Sequence, residues 1–243
     1  MTSKELITRL VELIPLLIEK EFTSSSEGST NSGKHESDVA KFFHDNGFPH
    51  LDNTVNVKKT RSKKESAQYL MNRKTHSPNN YTINKTDGFY TILQPYSKNG
   101  RGAMNPAPDL YIVSIVSYRI IAWIGIECKS SKDSLCPMWN EHLPRPFVKG
   151  NILYFFSGYS KELNEKKNTI FTSEIFFQGE DGAVIEDTFW KDVRKYMMTT
   201  WETDYASRFP MVECKLRQFC GQHPFTQGQM NSMVSDTIAF LNK

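Results

Sequence analysis

Paired cysteines, a membrane-length apolar run and a large excess of one charge are all missing from this sequence. Its four cysteines form no Cys-x-x-Cys pair, so we expect free thiols and a reducing, cytoplasmic compartment. The N-terminal apolar run over 6–22 is interrupted by charged side chains such as Arg9 and Glu12, which predicts an amphipathic helix and neither a signal peptide nor a membrane span. A formal net charge of only +3 excludes a wholly basic nucleic-acid coat.

Several common catalytic signatures are absent as well. The sequence has no Gly-x-x-x-x-Gly-Lys-Ser/Thr loop, no Gly-x-Gly-x-x-Gly turn and no Gly-x-Ser-x-Gly elbow. Nucleotide motors, dinucleotide enzymes and α/β-hydrolases therefore lose support. Two sets of cysteines with a histidine lack the paired spacing of a structural zinc site. These sets are Cys128, Cys136 and His142, and Cys214, Cys220 and His223.

What is present is a chain of globular composition. With 38% hydrophobic and 23% charged residues over 243 positions, we expect a single domain spanning 1–243. Apolar periodicity and β-branched runs predict an α/β fold. The predicted helices cover 3–22, Glu36 to a cap at Gly47, 186–206 and 227–242; the predicted strands cover 89–93, 152–156 and 170–177, with a hairpin over 109–128 centred on Tyr118. The polar run 23–35 predicts a mobile loop.

Positive charge is concentrated between Thr54 and Lys74. This segment contains seven basic residues and one acidic residue, Glu65, which give a local charge of 7 − 1 = +6. The rest of the chain therefore has a net charge of 3 − 6 = −3. Such clustering favours contact with a polyanion, and a solvated basic loop is the alternative. The seven residues are Lys58, Lys59, Arg61, Lys63, Lys64, Arg73 and Lys74.

The predicted hairpin carries the strongest chemical signal. If residues whose numbers sum to 236 pair across it, Asp109 lies opposite Glu127 with Cβ atoms about 4.5–5.5 Å apart. The two-residue alternation of a strand then places Lys129 on the same face. Two adjacent carboxylates on buried strands are costly unless a cation or proton intervenes, and hard oxygen ligands suit Mg²⁺, with Mn²⁺ as a substitute. The alternative is a strand-terminal turn aspartate beside an exposed Glu–Lys pair.

Pro108-Asp109, seventeen further residues and then Glu127-Cys128-Lys129 resemble the PD-(D/E)xK nuclease motif in its type II restriction endonuclease form. The resemblance implies a central mixed β-sheet flanked by helices, with Asp109 and Glu127 holding Mg²⁺. Lys129 would orient or help deprotonate the attacking water and steady the developing phosphorane charge. Glu36 loosely matches an upstream helical glutamate of this family that supports the metal, directly or through water. The expected products are 5′-phosphates and 3′-hydroxyls.

The loop over 130–149 leaves the Lys129 strand directly, so we expect it beside the scissile phosphate. Arginine can bind guanine bidentately and asparagine can bind adenine, which makes Arg145 and Asn140 candidates for base contacts. Lys132, His142 and, in a turn before the motif, Arg101 are candidates for phosphate or base-edge contacts. The alternative for the loop residues is contact with phosphates or water alone, and the alternative for Arg101 is ordinary solvation of a turn.

These features together predict a Mg²⁺-dependent endonuclease that cuts double-stranded DNA at a short palindromic site. Palindromic cleavage favours a two-fold homodimer in which each subunit cuts one strand. A cognate DNA methyltransferase would protect host DNA without needing to bind this chain, and no membrane partner is expected. The alternatives are a structure-specific repair or recombination nuclease with the same core, and a non-catalytic DNA-binding module.

Overall fold

A computed structural model describes residues 2–22, 32–51, 78, 83, 85–93, 108–132, 134–135, 152–172, 175 and 225–243. The elements in chain order are α1 (Ser3–Glu19), α2 (Ser32–Asp45), β1 (Gly88–Leu93), β2 (Leu110–Val116), β3 (Arg119–Ser130), β4 (Ile152–Ser160), β5 (Glu165–Phe171) and α3 (Gln227–Leu241). The strands form one five-stranded mixed sheet with flanking helices, which confirms the predicted α/β class. Among the described helices, none has the length and apolar character needed to cross a membrane.

The order of the strands in the sheet follows the order of the sequence, β1-β2-β3-β4-β5. Neighbouring strands are antiparallel except β3 and β4, which are parallel. The carboxyl ends of β1, β3 and β4 and the amino end of β2 therefore meet at one end of the sheet. We call this the site end, because Asp109, Glu127 and Lys129 all lie there.

The β2–β3 hairpin has the predicted register at the site end and a different turn. Five consecutive pairs sum to 236, beginning with Leu110 opposite Ile126. The prediction of a centre at Tyr118 is wrong, because Ser117 and Tyr118 form a two-residue turn with φ values of 49° and 61°. Left-handed residues match such a turn to the twist of the strands. The register then shifts by one residue, and the extra residue, Ile121, is a β-bulge that absorbs the offset.

The first two helices differ from the prediction at their ends. Thr2 and Glu5 form a reciprocal capping box that starts α1, and α1 continues through Pro15 but ends at Glu19, three residues early. The second helix starts at Ser32, so the last part of the predicted loop 23–35 is helical; 23–31 lie outside the described residues. The polar composition of this stretch hid its burial: the His35 ring stacks on Phe155 of β4, with ring centroids 5.8 Å apart.

The last two strands also differ from their predicted bounds. The fourth strand continues to Ser160, and β5 covers Glu165–Phe171 in place of 170–177. Its first half is polar and gives no strand signal, but it pairs with the second half of β4. Pairing with a neighbouring strand thus overrides local composition. The predicted helix over 186–206 lies outside the described residues, whereas α3 (Gln227–Leu241) agrees with the predicted helix over 227–242.

Buried side chains cover both faces of the sheet. On one face, α1 and α2 pack against alternate strand residues that include Ile126 and Cys128 of β3. The opposite face carries two further apolar clusters, around Tyr111 and around Phe156. Because successive strand side chains alternate between faces, Glu127 and Lys129 point away from α1 and α2. These two side chains therefore lie on the face of the sheet opposite α1 and α2.

Candidate active site

Asp109 is fixed at the residue just before β2. Its backbone N–H donates to the carbonyl of Ile126 at 3.1 Å. Its side-chain Oδ2 accepts a hydrogen bond of 2.7 Å from the backbone N–H of Cys128. Both contacts are made to β3, so Asp109 is tied to the strand that carries Glu127. The Pro-Asp and Glu-Cys-Lys segments therefore lie next to each other in the structure, as the sequence predicted.

Glu127 and Lys129 are neighbours on one face of β3 and form an ion pair between Oε1 and Nζ. Only 1% of the Glu127 side chain and 11% of the Lys129 side chain are exposed, so the alternative of an exposed edge pair is excluded. The second carboxylate oxygen of Glu127, Oε2, is buried and has no hydrogen-bond partner among the described residues. An unsatisfied buried carboxylate oxygen costs free energy unless a proton donor or a cation binds it.

The three groups perturb one another electrostatically. Burial, reinforced by the charge of Glu127, raises the pKa of Asp109 to about 7, while Lys129 and the Cys128 N–H oppose the increase. Burial alone would lower the pKa of Lys129, but the carboxylates of Glu127 and Asp109 outweigh it and raise that pKa above its ordinary value. Lys129 is thus a permanent ammonium group, and Asp109 changes charge near neutral pH.

Cys128 lies between Glu127 and Lys129 on β3 but faces the other side of the sheet. Its thiol is buried, and burial followed by the charge of Asp109 raises its pKa well above the ordinary value. A thiol of raised pKa remains protonated and is a poor nucleophile. The side chain of Cys128 therefore packs in the core, while its backbone N–H holds the Asp109 carboxylate.

The donor set suits a hard divalent cation at Asp109 and Glu127. Mg²⁺ commonly uses one or two protein carboxylates and completes its shell with water and phosphate oxygens. A cation between these groups would satisfy Glu127 Oε2 and offset the burial that raises the pKa of Asp109. Within the described ranges, however, no group of three or more His, Cys, Asp or Glu side chains is arranged to hold a metal ion. The described part of the chain therefore supplies this pair without a third carboxylate beside it.

Glu36, the predicted third acidic residue, is buried on α2. Its charge contributes to the raised pKa values of Cys128 and Lys129, so it belongs to the same electrostatic environment. It does not join Asp109 and Glu127 in a three-carboxylate group. Its support of a metal ion stays a prediction.

His35 is a buried residue of this region that the sequence interpretation missed. Its ring lies between Phe155 and Phe22, and burial lowers its pKa to about 4. The Lys129 carbonyl is near the ring without reaching hydrogen-bond geometry, and neither ring nitrogen has a partner among the described residues. The helical spacing of His35 with Val39 and Phe42, both apolar and buried, is the signal that could have identified it.

Of the predicted DNA-contacting residues, Lys132 is described and lies exposed just after β3. The segment that leads to it is anchored on β4: Ser131 N–H donates to Ser157 O at 2.9 Å, and Tyr159 N–H donates to Ser134 O at 3.1 Å. The remaining candidates lie outside the described residues. They are Lys58, Lys59, Arg61, Lys63, Lys64, Arg101, Asn140, His142 and Arg145.

The described residues thus combine two carboxylates, one ammonium group and an unsatisfied carboxylate oxygen at the site end. This combination can bind a divalent cation and place a fixed positive charge beside it. No family model matches the chain, and neither the curated proteins nor the solved structures provide a match.

Proposed function

We propose that the chain is a Mg²⁺-dependent endonuclease that hydrolyses phosphodiester bonds of double-stranded DNA at a specific short site. The observation that carries the proposal is the cluster of Asp109, Glu127 and Lys129, in which Glu127 is buried and its Oε2 has no partner among the described residues. Two carboxylates and a lysine form a donor set for a metal ion and an adjacent anionic substrate. The resemblance of Pro108-Asp109 and Glu127-Cys128-Lys129 to the PD-(D/E)xK motif supports the same chemistry.

The proposed chemistry divides between the metal and the chain. Bound Mg²⁺ supplies a Lewis acid that lowers the pKa of water and neutralises non-bridging phosphate oxygens. Asp109 and Glu127 hold the ion, and the Cys128 N–H keeps the Asp109 carboxylate in place. Lys129 presents a permanent positive charge that orients the attacking water and stabilises charge developing on the phosphate. Because Glu127 already pairs with Lys129, we infer that the ammonium group is positioned before substrate binds.

DNA is favoured as the substrate by the arrangement of chain around the site end. Leu93 and Pro108, which flank the segment containing Arg101, are both at this end, and so is Lys132. The segment over 54–74, with a local charge of +6, offers further phosphate contacts.

A palindromic site would require two copies of the chain. We therefore propose a homodimer, with a separate methyltransferase protecting host DNA. The same observations support a structure-specific repair nuclease, which we distinguish experimentally.

The test is digestion of unmethylated phage DNA by the purified full-length chain, with Mg²⁺ and with EDTA. We expect discrete fragments with Mg²⁺, Mn²⁺ substituting for it, and none with EDTA. The variants Asp109→Asn, Glu127→Gln and Lys129→Met should each slow cleavage by roughly 10²–10³-fold, the usual cost of removing one transition-state-stabilising group.

A matched control is available on β5. Glu165 and Lys167 have the same Glu-x-Lys spacing and also form an ion pair, with atoms 2.6 Å apart, but their side chains are 49% and 27% exposed. Glu165→Gln and Lys167→Met should leave cleavage unchanged. A metal-dependent smear in place of fragments would identify the repair-type nuclease. Intact DNA that is nevertheless shifted on a gel would identify a binding module and refute the catalytic proposal.

A further inference from the structure

Gly125 of β3 makes room for the ring of Pro108. A Cβ atom built on Gly125 would lie 2.4 Å from Pro108 Cγ and 3.0 Å from Pro108 Cβ, well inside normal contact distance. The proline ring is rigid and its φ angle is fixed, so it cannot rotate away as a flexible side chain would. Any residue other than glycine at this position would therefore displace the segment that contains Pro108.

That segment ends at the candidate metal-binding aspartate. Asp109 directly follows Pro108, and both of its described hydrogen bonds go to β3, at Ile126 and Cys128. The Pro108 ring on Gly125 adds a third point of attachment to the same strand. Gly125 also lies two residues before Glu127 and thus on the same face of β3. One strand therefore carries both Glu127 and the surface that seats Asp109.

We propose that Gly125 is a positioning residue for the metal site: its missing side chain seats Pro108 on β3 and so sets the Asp109 carboxylate beside Glu127. This inference rests on the proposed function for the identity of the ligand. The seating itself is independent of the metal and can be measured without it. Gly125 has no side chain that could bind substrate or metal, and it acts only through Pro108 and Asp109.

The test combines Gly125→Ala, Pro108→Ala and the double variant. Calorimetric titration with Mn²⁺ measures metal affinity without DNA, and hydrogen exchange of the Cys128 amide measures its bond to Asp109. We expect Gly125→Ala to weaken Mn²⁺ binding at least about tenfold, as is typical when residues that orient metal ligands are changed. The Cys128 amide should exchange at least about tenfold faster. The double variant should match Pro108→Ala in both measurements, because the added methyl group then meets no ring.

Gly88→Ala on β1 is the matched control, since a Cβ there would lie 2.8 Å from the Tyr90 ring, away from the site end. It should alter neither Mn²⁺ affinity nor Cys128 exchange. Unchanged Cys128 exchange and unchanged affinity in Gly125→Ala would overturn the inference. If Gly125→Ala does not fold, the double variant provides the test. A Mn²⁺ affinity of the double variant below that of Pro108→Ala would show that the methyl group acts by another route and would overturn the inference. Wild-type protein that binds no Mn²⁺ refutes the proposed function, yet faster Cys128 exchange in Gly125→Ala would still establish the seating.

Discussion

Replacing Asp109 by asparagine should stabilise the metal-free protein at alkaline pH while slowing the proposed cleavage by roughly 10²–10³-fold. The asparagine side chain keeps an oxygen that can accept the hydrogen bond from Cys128 N–H. It removes the charge that burial and Glu127 disfavour. A residue that is unfavourable for folding but is positioned by specific hydrogen bonds is typical of a functional site.

The size of this stabilisation follows from the pKa of Asp109, which is about 7 in the folded protein and ordinarily 3.8. The folded state holds this proton more tightly, so the contribution to stability is complete below pH 4 and is lost as pH rises toward 7. With about 1.4 kcal/mol per pKa unit, the loss is at most about 4 kcal/mol at pH 8. The free energy of unfolding of Asp109→Asn, relative to wild type, should therefore rise between pH 4 and 7 and then remain constant.

Urea unfolding in EDTA across this pH range measures the difference directly, and titrating groups away from Asp109, Glu127 and Lys129 cancel between the two proteins. Asp87→Asn is the matched control, because Asp87 also precedes a strand and accepts a backbone hydrogen bond, from Ser117 N–H at 2.8 Å, but is exposed. It should show no gain at pH 8. Mg²⁺ should stabilise wild type and not Asp109→Asn. An asparagine variant that is no more stable than wild type at pH 8 would refute the reasoning, since Lys129 would then compensate fully for burial.

Three further predictions concern stability. Burial lowers the pKa of His35 to about 4, against the opposing charge of Asp38. The free energy of unfolding of wild type should therefore fall by up to about 3 kcal/mol as pH falls from 6.5 to 4. Urea unfolding of His35→Phe should show no such loss, and equal losses in the two proteins would contradict the role of His35. Asn168 donates hydrogen bonds to two backbone carbonyls at the end of α1. Asn168→Ala should lower the free energy of unfolding by about 1–3 kcal/mol. A change within experimental error would show that water replaces these bonds. Ser117 and Tyr118 have left-handed backbone conformations, which cost about 1–3 kcal/mol per residue. Replacing them with Asn-Gly should relieve this strain and raise the midpoint of thermal unfolding. A lower midpoint would show that the native side chains stabilise the turn.

The parts of the fold that the sequence predicted well depend on short-range patterns. The register of Leu110 opposite Ile126 follows from alternation along two adjacent strands, because a slip by one residue would turn every side chain to the wrong face. The same register determines that Asp109, Glu127 and Lys129 lie together. The site could thus be predicted without knowledge of the distant chain, although the turn itself could not, since Ser117-Tyr118 lacks the glycine or asparagine typical of such turns.

The parts that were missed depend on contacts between distant segments. Asn168, in the polar half of β5, belongs to a strand because β4 pairs with it and because its side chain binds the end of α1. The start of α2 at Ser32 is similarly explained by His35 packing on Phe155, about 120 residues away in the sequence. Glu36 shows the consequence for the site. Helical periodicity can predict that Glu36 lies on a helix, but its distance from Asp109 depends on how α2 packs against the sheet, and no spacing within α2 encodes that packing. The carboxylates on paired strands could therefore be predicted together, whereas the helical carboxylate could be predicted only by resemblance.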